Sequence, residues 1–168
     1  MKISKEKIKY FFRLPDKKFM LKNTKKYSLI LIIAIFFSFF FVKNLQTSLP
    51  LGIYVKNFSK NYKKDDIIIF DIDKKYNKFF NKKGILKHVM KRITADSNDE
   101  IKIIKNEIYV NNQNYGEIQE LNLPIPDLKI KKGCFFVLSK QLGSFDSRYF
   151  GQVCEKQIKY KAIPFIVF

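Results

Sequence analysis

From Tyr27 to Val42 sixteen consecutive residues carry no charge, and Lys25-Lys26 and Lys43 close the run at its two ends. As a helix such a run is roughly 24 Å long, a little short of a hydrocarbon core of roughly 30 Å. Flanking lysines can snorkel to the headgroups, and the helix can continue past Lys43 through Leu45, so a single membrane span is the expected form. A core helix of this composition, apolar all round, needs more surrounding protein than a chain of 168 residues supplies. A cleaved signal peptide fits less well, because Val42-Lys43-Asn44-Leu45-Gln46 offers no small-x-small cleavage site.

This run divides the chain into a basic arm over residues 1–26, an anchor over 27–42 and an outer domain over 43–168. The arm holds ten basic residues and two acidic ones, whereas one lysine follows the run directly. By the positive-inside rule the N-terminus is expected in the cytoplasm, with everything from Lys43 onward on the outer face of the cytoplasmic (inner) membrane. Phe11-Phe12 and Phe19-Met20-Leu21 among the lysines suit an arm lying on anionic lipid, and an unstructured charged tail fits equally. The net charge of +18 comes from 33 basic residues, of which only Arg13, Arg92 and Arg148 are arginine. Such a lysine bias is compositional, so no specific nucleic-acid partner is inferred from it. The arginines are more informative, because lysine cannot present a planar two-pronged donor to a carboxylate.

Beyond the run the pattern is strand-like, and the outer domain reads as mainly β. Asp66 to Phe70 is a continuous apolar strand candidate, followed by a lysine-rich loop from Asp71 to Gly84. Ile85 to Ile93 follows, with a turn at Asp96 to Asp99. Ile101–Ile104 and Glu107–Val110 are expected to form a hairpin across Lys105-Asn106, with another turn over Asn111 to Asn114. Two prolines extend Leu123 to Asp127. Cys134 to Ser139 reads as a strand, Gly143 to Gly151 as a loop, and the chain ends in an apolar segment, Ile163 to Phe168.

Three stretches carry chemistry. Thr47-Ser48-Leu49-Pro50-Leu51-Gly52-Ile53-Tyr54 begins just after the apolar run, and Pro50 and Gly52 fix the backbone beside Ser48. A serine hydroxyl is a poor nucleophile until a base takes its proton. His88 and Lys91 are the candidate bases, and on a strand they point to opposite faces, so one of them at most serves a given site. Val89, Met90 and Ile93 give Lys91 the apolar surroundings that lower an amine's pKa, and a Ser-Lys dyad is a recognised variant of the serine triad. By themselves Ser48 and Lys91 read more readily as a surface serine before a turn and as one lysine among 30. The third stretch, Leu142-Gly143-Ser144-Phe145-Asp146-Ser147-Arg148-Tyr149-Phe150-Gly151, combines a serine, a carboxylate and an arginine able to form a charge-assisted pair.

Ser-Leu-Pro-Leu-Gly-Ile-Tyr behind an anchor, Met-Lys-Arg-Ile after a strand, and Phe-Asp-Ser-Arg-Tyr-Phe-Gly near the end resemble, in order, the boxes of the type I signal peptidases. The Pro-x-Gly-x-Tyr form is similar to the TraF-type peptidases of conjugative transfer systems, and Asn106 to Glu117 resembles the family's hairpin. The resemblance implies a signal-peptidase-like β catalytic domain behind one transmembrane helix. It implies Ser48 as nucleophile, Lys91 as general base, Ser144 as the serine that positions the lysine, and Asp146 with Arg148 as a structural ion pair. It further implies an oxyanion hole formed in part by the Ser48 backbone N–H, while Gln46 stands where typical leader peptidases carry a second serine donor. The family's Gly-Asp-Asn-x-x-Asn segment is replaced by Ser139-Lys140-Gln141-Leu142. Precursor proteins with signal or leader segments are the implied substrates, pilin-like subunits of a secretion system among them, and no cofactor or metal is called for. The second class of function is a degenerate peptidase-fold membrane component that binds partners without cutting them. His88 is left as a bystander and Arg92 in a surface role. Cys134 and Cys154 face an oxidising compartment in this topology and are a candidate disulfide.

Overall fold

The computed structural model describes residues 23–76, 79, 88–141 and 143–168. The basic arm up to Lys22, half of the lysine-rich loop with Ile85 to Lys87, and Leu142 lie outside the described residues. The chain forms two compact units, Met1–Phe40 and Phe41–Phe168.

Within the first unit, helix α1 covers Thr24–Phe40 and buries none of its side chains; Leu31, Ile32 and Phe36 are each more than 60% exposed. An apolar helix with its side chains this exposed is unusual in water. At 17 residues it spans about 26 Å, and no helix among the described residues is long and apolar enough to cross a membrane. The uncharged run is not helical throughout: Phe41 and Val42 leave the helix and open strand β1, Phe41–Asn44, of the second unit. Their partners explain the break. Phe41 pairs with Val55 and Val42 with Tyr54, and the Phe41 ring stacks edge-on against Phe165, which local hydrophobicity cannot reveal.

The second unit is built from antiparallel strands. After β1 come β2 (Gly52–Asn57), β3 (Ile67–Asp71), β4 (His88–Ala95), β5 (Ile101–Ile104), β6 (Glu107–Val110), β7 (Gln113–Glu117), β8 (Cys134–Val137), β9 (Val153–Cys154) and β10 (Ile158–Val167). Seven of them lie in the order β1-β2-β10-β3-β4-β8-β9, and β5-β6-β7 form a smaller sheet. The apolar run Ile67–Phe70 is buried at every position, as a strand covered on both faces must be. One face packs Ile68, Phe70, Val89, Ile93 and Val137 together; the other gathers Leu49, Tyr54, Ile67, Ile69 and Met90. Strand β8 is likewise buried throughout, because Phe135 and Val137 face the first cluster while Cys134 and Phe136 face a third, shared with Ile101, Ile108 and Val110 of the small sheet.

The expected hairpin is present in the expected register, with Lys105 and Asn106 both at positive φ in its two-residue turn. The following turn is tighter than the sequence suggested. Asn111 and Asn112 suffice for it, both again at positive φ, and Gln113 already begins β7. The apolar C-terminus belongs to a longer strand than expected. β10 runs between β2 and β3 as far as Ala162, then continues paired with β2 alone. Pro164 lies in that last portion, where its missing N–H costs least.

Candidate active site

Ser48 lies in the connection between β1 and β2, and the residues around it are held by side chains from the same hairpin. Asn44, buried at the end of β1, donates through Nδ2 to the carbonyls of Gln46 (3.0 Å), Leu49 (3.3 Å) and Pro50 (2.9 Å), and accepts the Gln46 N–H through Oδ1 (3.1 Å). The fully buried Tyr54 donates its hydroxyl to the Pro50 carbonyl at 2.7 Å. A buried amide and a buried phenol thus take up backbone groups that have no strand partner. Gly52, at φ +150°, closes the turn: a Cβ there would lie 2.1 Å from the Ile166 carbonyl oxygen, so only glycine lets β10 approach this closely.

Lys91 comes from the middle of β4, opposite Ile68, and is 4% exposed. Its Nζ donates to Ser144 Oγ at 2.8 Å. Burial lowers the Lys91 ammonium from its usual 10.5 to about 8; Asp146 pulls it upward and Arg148 pushes it down. Ser48 and Lys91 line one cavity of about 300 Å3 together with Gln46, Ser144 and Phe145. The Ser48 hydroxyl is buried without a hydrogen-bond partner, and Lys91 is turned to Ser144. A buried serine oxygen facing a cavity that also holds a buried amine of lowered pKa is the combination that general-base-assisted nucleophilic attack requires.

The segment after β8 supplies the rest. Helix α2, Ser147–Phe150, is one turn long, and Asp146 caps it by accepting the Arg148 N–H. Asp146 is fully buried and receives Arg148 Nε at 2.8 Å, Arg148 Nη2 at 3.1 Å and the Ser139 N–H at 3.0 Å. Burial raises its carboxyl above the ordinary range against the pull of Arg148, the Ser139 N–H and Lys91. Arg148 also donates to the carbonyls of Ser139 (2.7 Å), Tyr115 (3.2 Å) and Glu117 (2.9 Å), fastening the loop to β7. Lysine could not make this set of contacts. Ser147 Oγ accepts the Val137 N–H at 2.9 Å, and Phe145 stacks between Phe79 and Tyr149 at 4.5 and 5.1 Å.

Ser48, Lys91, Ser144 and Gln46 therefore share one cavity, with the Asp146–Arg148 pair beneath the loop that carries Ser144. His88 is elsewhere: it is exposed and pairs with Asp71 at 2.5 Å, which also binds Lys159 at 2.7 Å. Arg92 donates to the Asp65 carbonyl at 3.0 Å. Cys134 and Cys154 sit directly opposite one another on β8 and β9 and are joined by a disulfide. The roles of Asn44 and Tyr54 in holding this turn escaped the sequence reading, although an asparagine just beyond the apolar run and the tyrosine of Pro-x-Gly-x-Tyr were visible signals. Among the described residues no group of histidine, cysteine or carboxylate side chains is arranged to hold a metal.

A family model described as signal peptidase, peptidase S26, matches residues 21–166. Among solved structures, a crystal structure of a signal peptidase I from Enterococcus faecalis V583 aligns at 20% identity over 60% of this chain and 96% of that one, with a TM-score of 0.39. The search of curated proteins returned no match.

Proposed function

This chain belongs to the signal peptidase family, peptidase S26, a family of serine-type hydrolases that act on precursor proteins with signal peptides, and on that premise we propose that Ser48 is its nucleophile and Lys91 its general base. The single observation that carries the reading is the shared cavity: a buried, unbonded serine hydroxyl and a buried amine open onto the same space.

Lys91 in its neutral form takes the proton as Ser48 Oγ attacks the scissile carbonyl. An amine with a pKa of about 8 is neutral in roughly one molecule in ten at pH 7, which an ordinary lysine near 10.4 is not. Ser144 fixes the amine through its 2.8 Å bond, and the step calls for Nζ to turn from Ser144 toward Ser48. The Ser48 backbone N–H and the Gln46 side chain are the oxyanion donors in this proposal; Gln46 is supported by its place in the cavity wall, with its own N–H and carbonyl already bound to Asn44. Asp146 and Arg148 hold the loop. Collapse of the tetrahedral adduct breaks the scissile C–N bond, the leaving amine taking back the proton from Lys91, and the acyl-enzyme that remains is resolved by water or by an amine of the substrate.

The finer reading is a TraF-type enzyme that processes pilin-like subunits of a conjugative or type IV secretion system, anchored by one span with the N-terminus cytoplasmic. The Pro-x-Gly-x-Tyr stretch supports the first part, since its glycine and tyrosine both have defined work in the turn. The apolar helix with every side chain unburied, between flanking lysines, supports contact with lipid. A precursor-cleavage assay decides the catalytic part. Ser48→Ala and Lys91→Ala are expected to abolish processing of a preprotein that the wild type cuts, and equal processing by all three proteins would overturn the assignment.

A further inference from the structure

We propose that Gln141 is a positioning residue that latches the loop holding Lys91 to the turn holding Ser48. Its Nε2 donates to Thr47 Oγ1 at 2.7 Å, across 94 residues of sequence. Thr47 adjoins Ser48 in the chain. At the other end, the Gln141 carbonyl accepts the Ser144 N–H at 3.2 Å, its own N–H donates to Ser139 Oγ at 3.2 Å, and Ser144 Oγ receives Lys91 Nζ. A continuous set of hydrogen bonds therefore runs from the neighbour of Ser48 through Gln141 to the serine that holds the amine. Thr47 and Gln141 both line the cavity.

The latch has a geometric purpose because the two halves of the site belong to different parts of the fold. Asn44 and Tyr54 stabilise the Ser48 turn from within its own hairpin, and the Asp146–Arg148 pair stabilises the Ser144 loop from below. Neither sets one half against the other, whereas the Gln141–Thr47 bond does. Both residues are exposed, so the bond adds little to stability. Reaction rate is far more sensitive than stability to a small misplacement of reacting groups. Gln141 also stands within the segment that departs from the family pattern, so the sequence comparison alone gave it no role.

This inference rests on the Ser48–Lys91 reading. The full chain in detergent is tested on a preprotein substrate as Gln141→Ala, Thr47→Val, the double variant, Thr47→Ser and Ser48→Ala. Gln141→Ala and Thr47→Val are each expected to lower kcat about tenfold with KM and Tm unchanged, the double variant to fall no further than either, and Thr47→Ser to retain activity through its hydroxyl. The rising limb of the pH profile should also move upward in Gln141→Ala, as water reaches Lys91. Wild-type kcat in Gln141→Ala, or additive losses in the double variant, overturns the latch while an inactive Ser48→Ala leaves the catalytic reading standing. An active Ser48→Ala overturns the reading on which the latch rests.

Discussion

Lys91 carries an unfavourable charge state, on which the proposed mechanism draws. Lowering its pKa from 10.5 to about 8 by burial corresponds to about 3 kcal/mol of stability withheld at neutral pH. The sign follows from proton binding. Between about 8 and 10.5 the unfolded chain holds a proton on this lysine and the folded chain does not, so stability rises with pH across that window. Below it both states are protonated and the full penalty stands. Lys91→Met removes the buried amine at nearly constant volume and gives up one hydrogen bond to Ser144, so a net gain of about 2 kcal/mol is expected at pH 7. Thermal unfolding against pH measures it: the gain should shrink above pH 8 and vanish toward 10.5, and a gain independent of pH would contradict the assignment. In the wild type the same titration should appear as a cleavage rate, kcat/KM, that rises through about pH 8.

At the scale of elements, the β1–β2 hairpin is the device that makes a short serine-bearing turn rigid. Its connection is too long for the two-residue turns of β5–β6 and β6–β7, so side chains take the place of ladder hydrogen bonds. Gly52 is where the hairpin and β10 come closest. Gly52→Ala would drive a methyl into the Ile166 carbonyl at a φ that alanine rarely adopts, and a loss of at least about 2 kcal/mol is expected, read as a lower urea midpoint. Because the displaced strand begins four residues after Ser48, kcat/KM should fall even well below the unfolding temperature. Unchanged activity and midpoint would mean that the close approach to β10 is not maintained in solution. The same hairpin explains why the apolar run and the helix do not coincide. Phe41 and Val42 are as apolar as the residues before them, but their partners in β2 and β10 decide their conformation.

For the whole second unit, one disulfide and the hydrogen bonds of Arg148 to the Tyr115, Glu117 and Ser139 carbonyls tie the Ser144–Arg148 loop to its surroundings. The Cys134–Cys154 disulfide closes a loop that contains the complete last box, with the two cysteines 20 residues apart. Chain-entropy arguments put such a closure at about 3 kcal/mol. Reduction with dithiothreitol should therefore lower the urea midpoint by a corresponding amount. An unchanged midpoint after verified reduction would show that the Arg148 contacts to Tyr115, Glu117 and Ser139 hold the loop alone.

Much of this arrangement was legible in the residues. The run Ile67–Phe70 is apolar at every position because it is covered on both faces, and Lys105-Asn106 between two strand-like runs reads as a hairpin turn, which it is. The three boxes pointed to the family, since spacing and residue type record what a serine, an amine and an ion pair need. Other features depend on contacts between distant segments, which carry no local signal. The end of α1 at Phe40 is set by strand pairing, and the place of β10 between β2 and β3 by the packing of the whole sheet. The pKa of Lys91 depends on how completely the fold excludes water from it, and no neighbour in sequence fixes that. Gln141 shows the difference most plainly. In the sequence it is one residue of a segment that departs from the family pattern, and only the folded chain brings its amide within 2.7 Å of the residue beside Ser48. Sequence determined which groups were available for the chemistry; tertiary structure decided which of them meet, because burial and approach are properties of the assembled sheets.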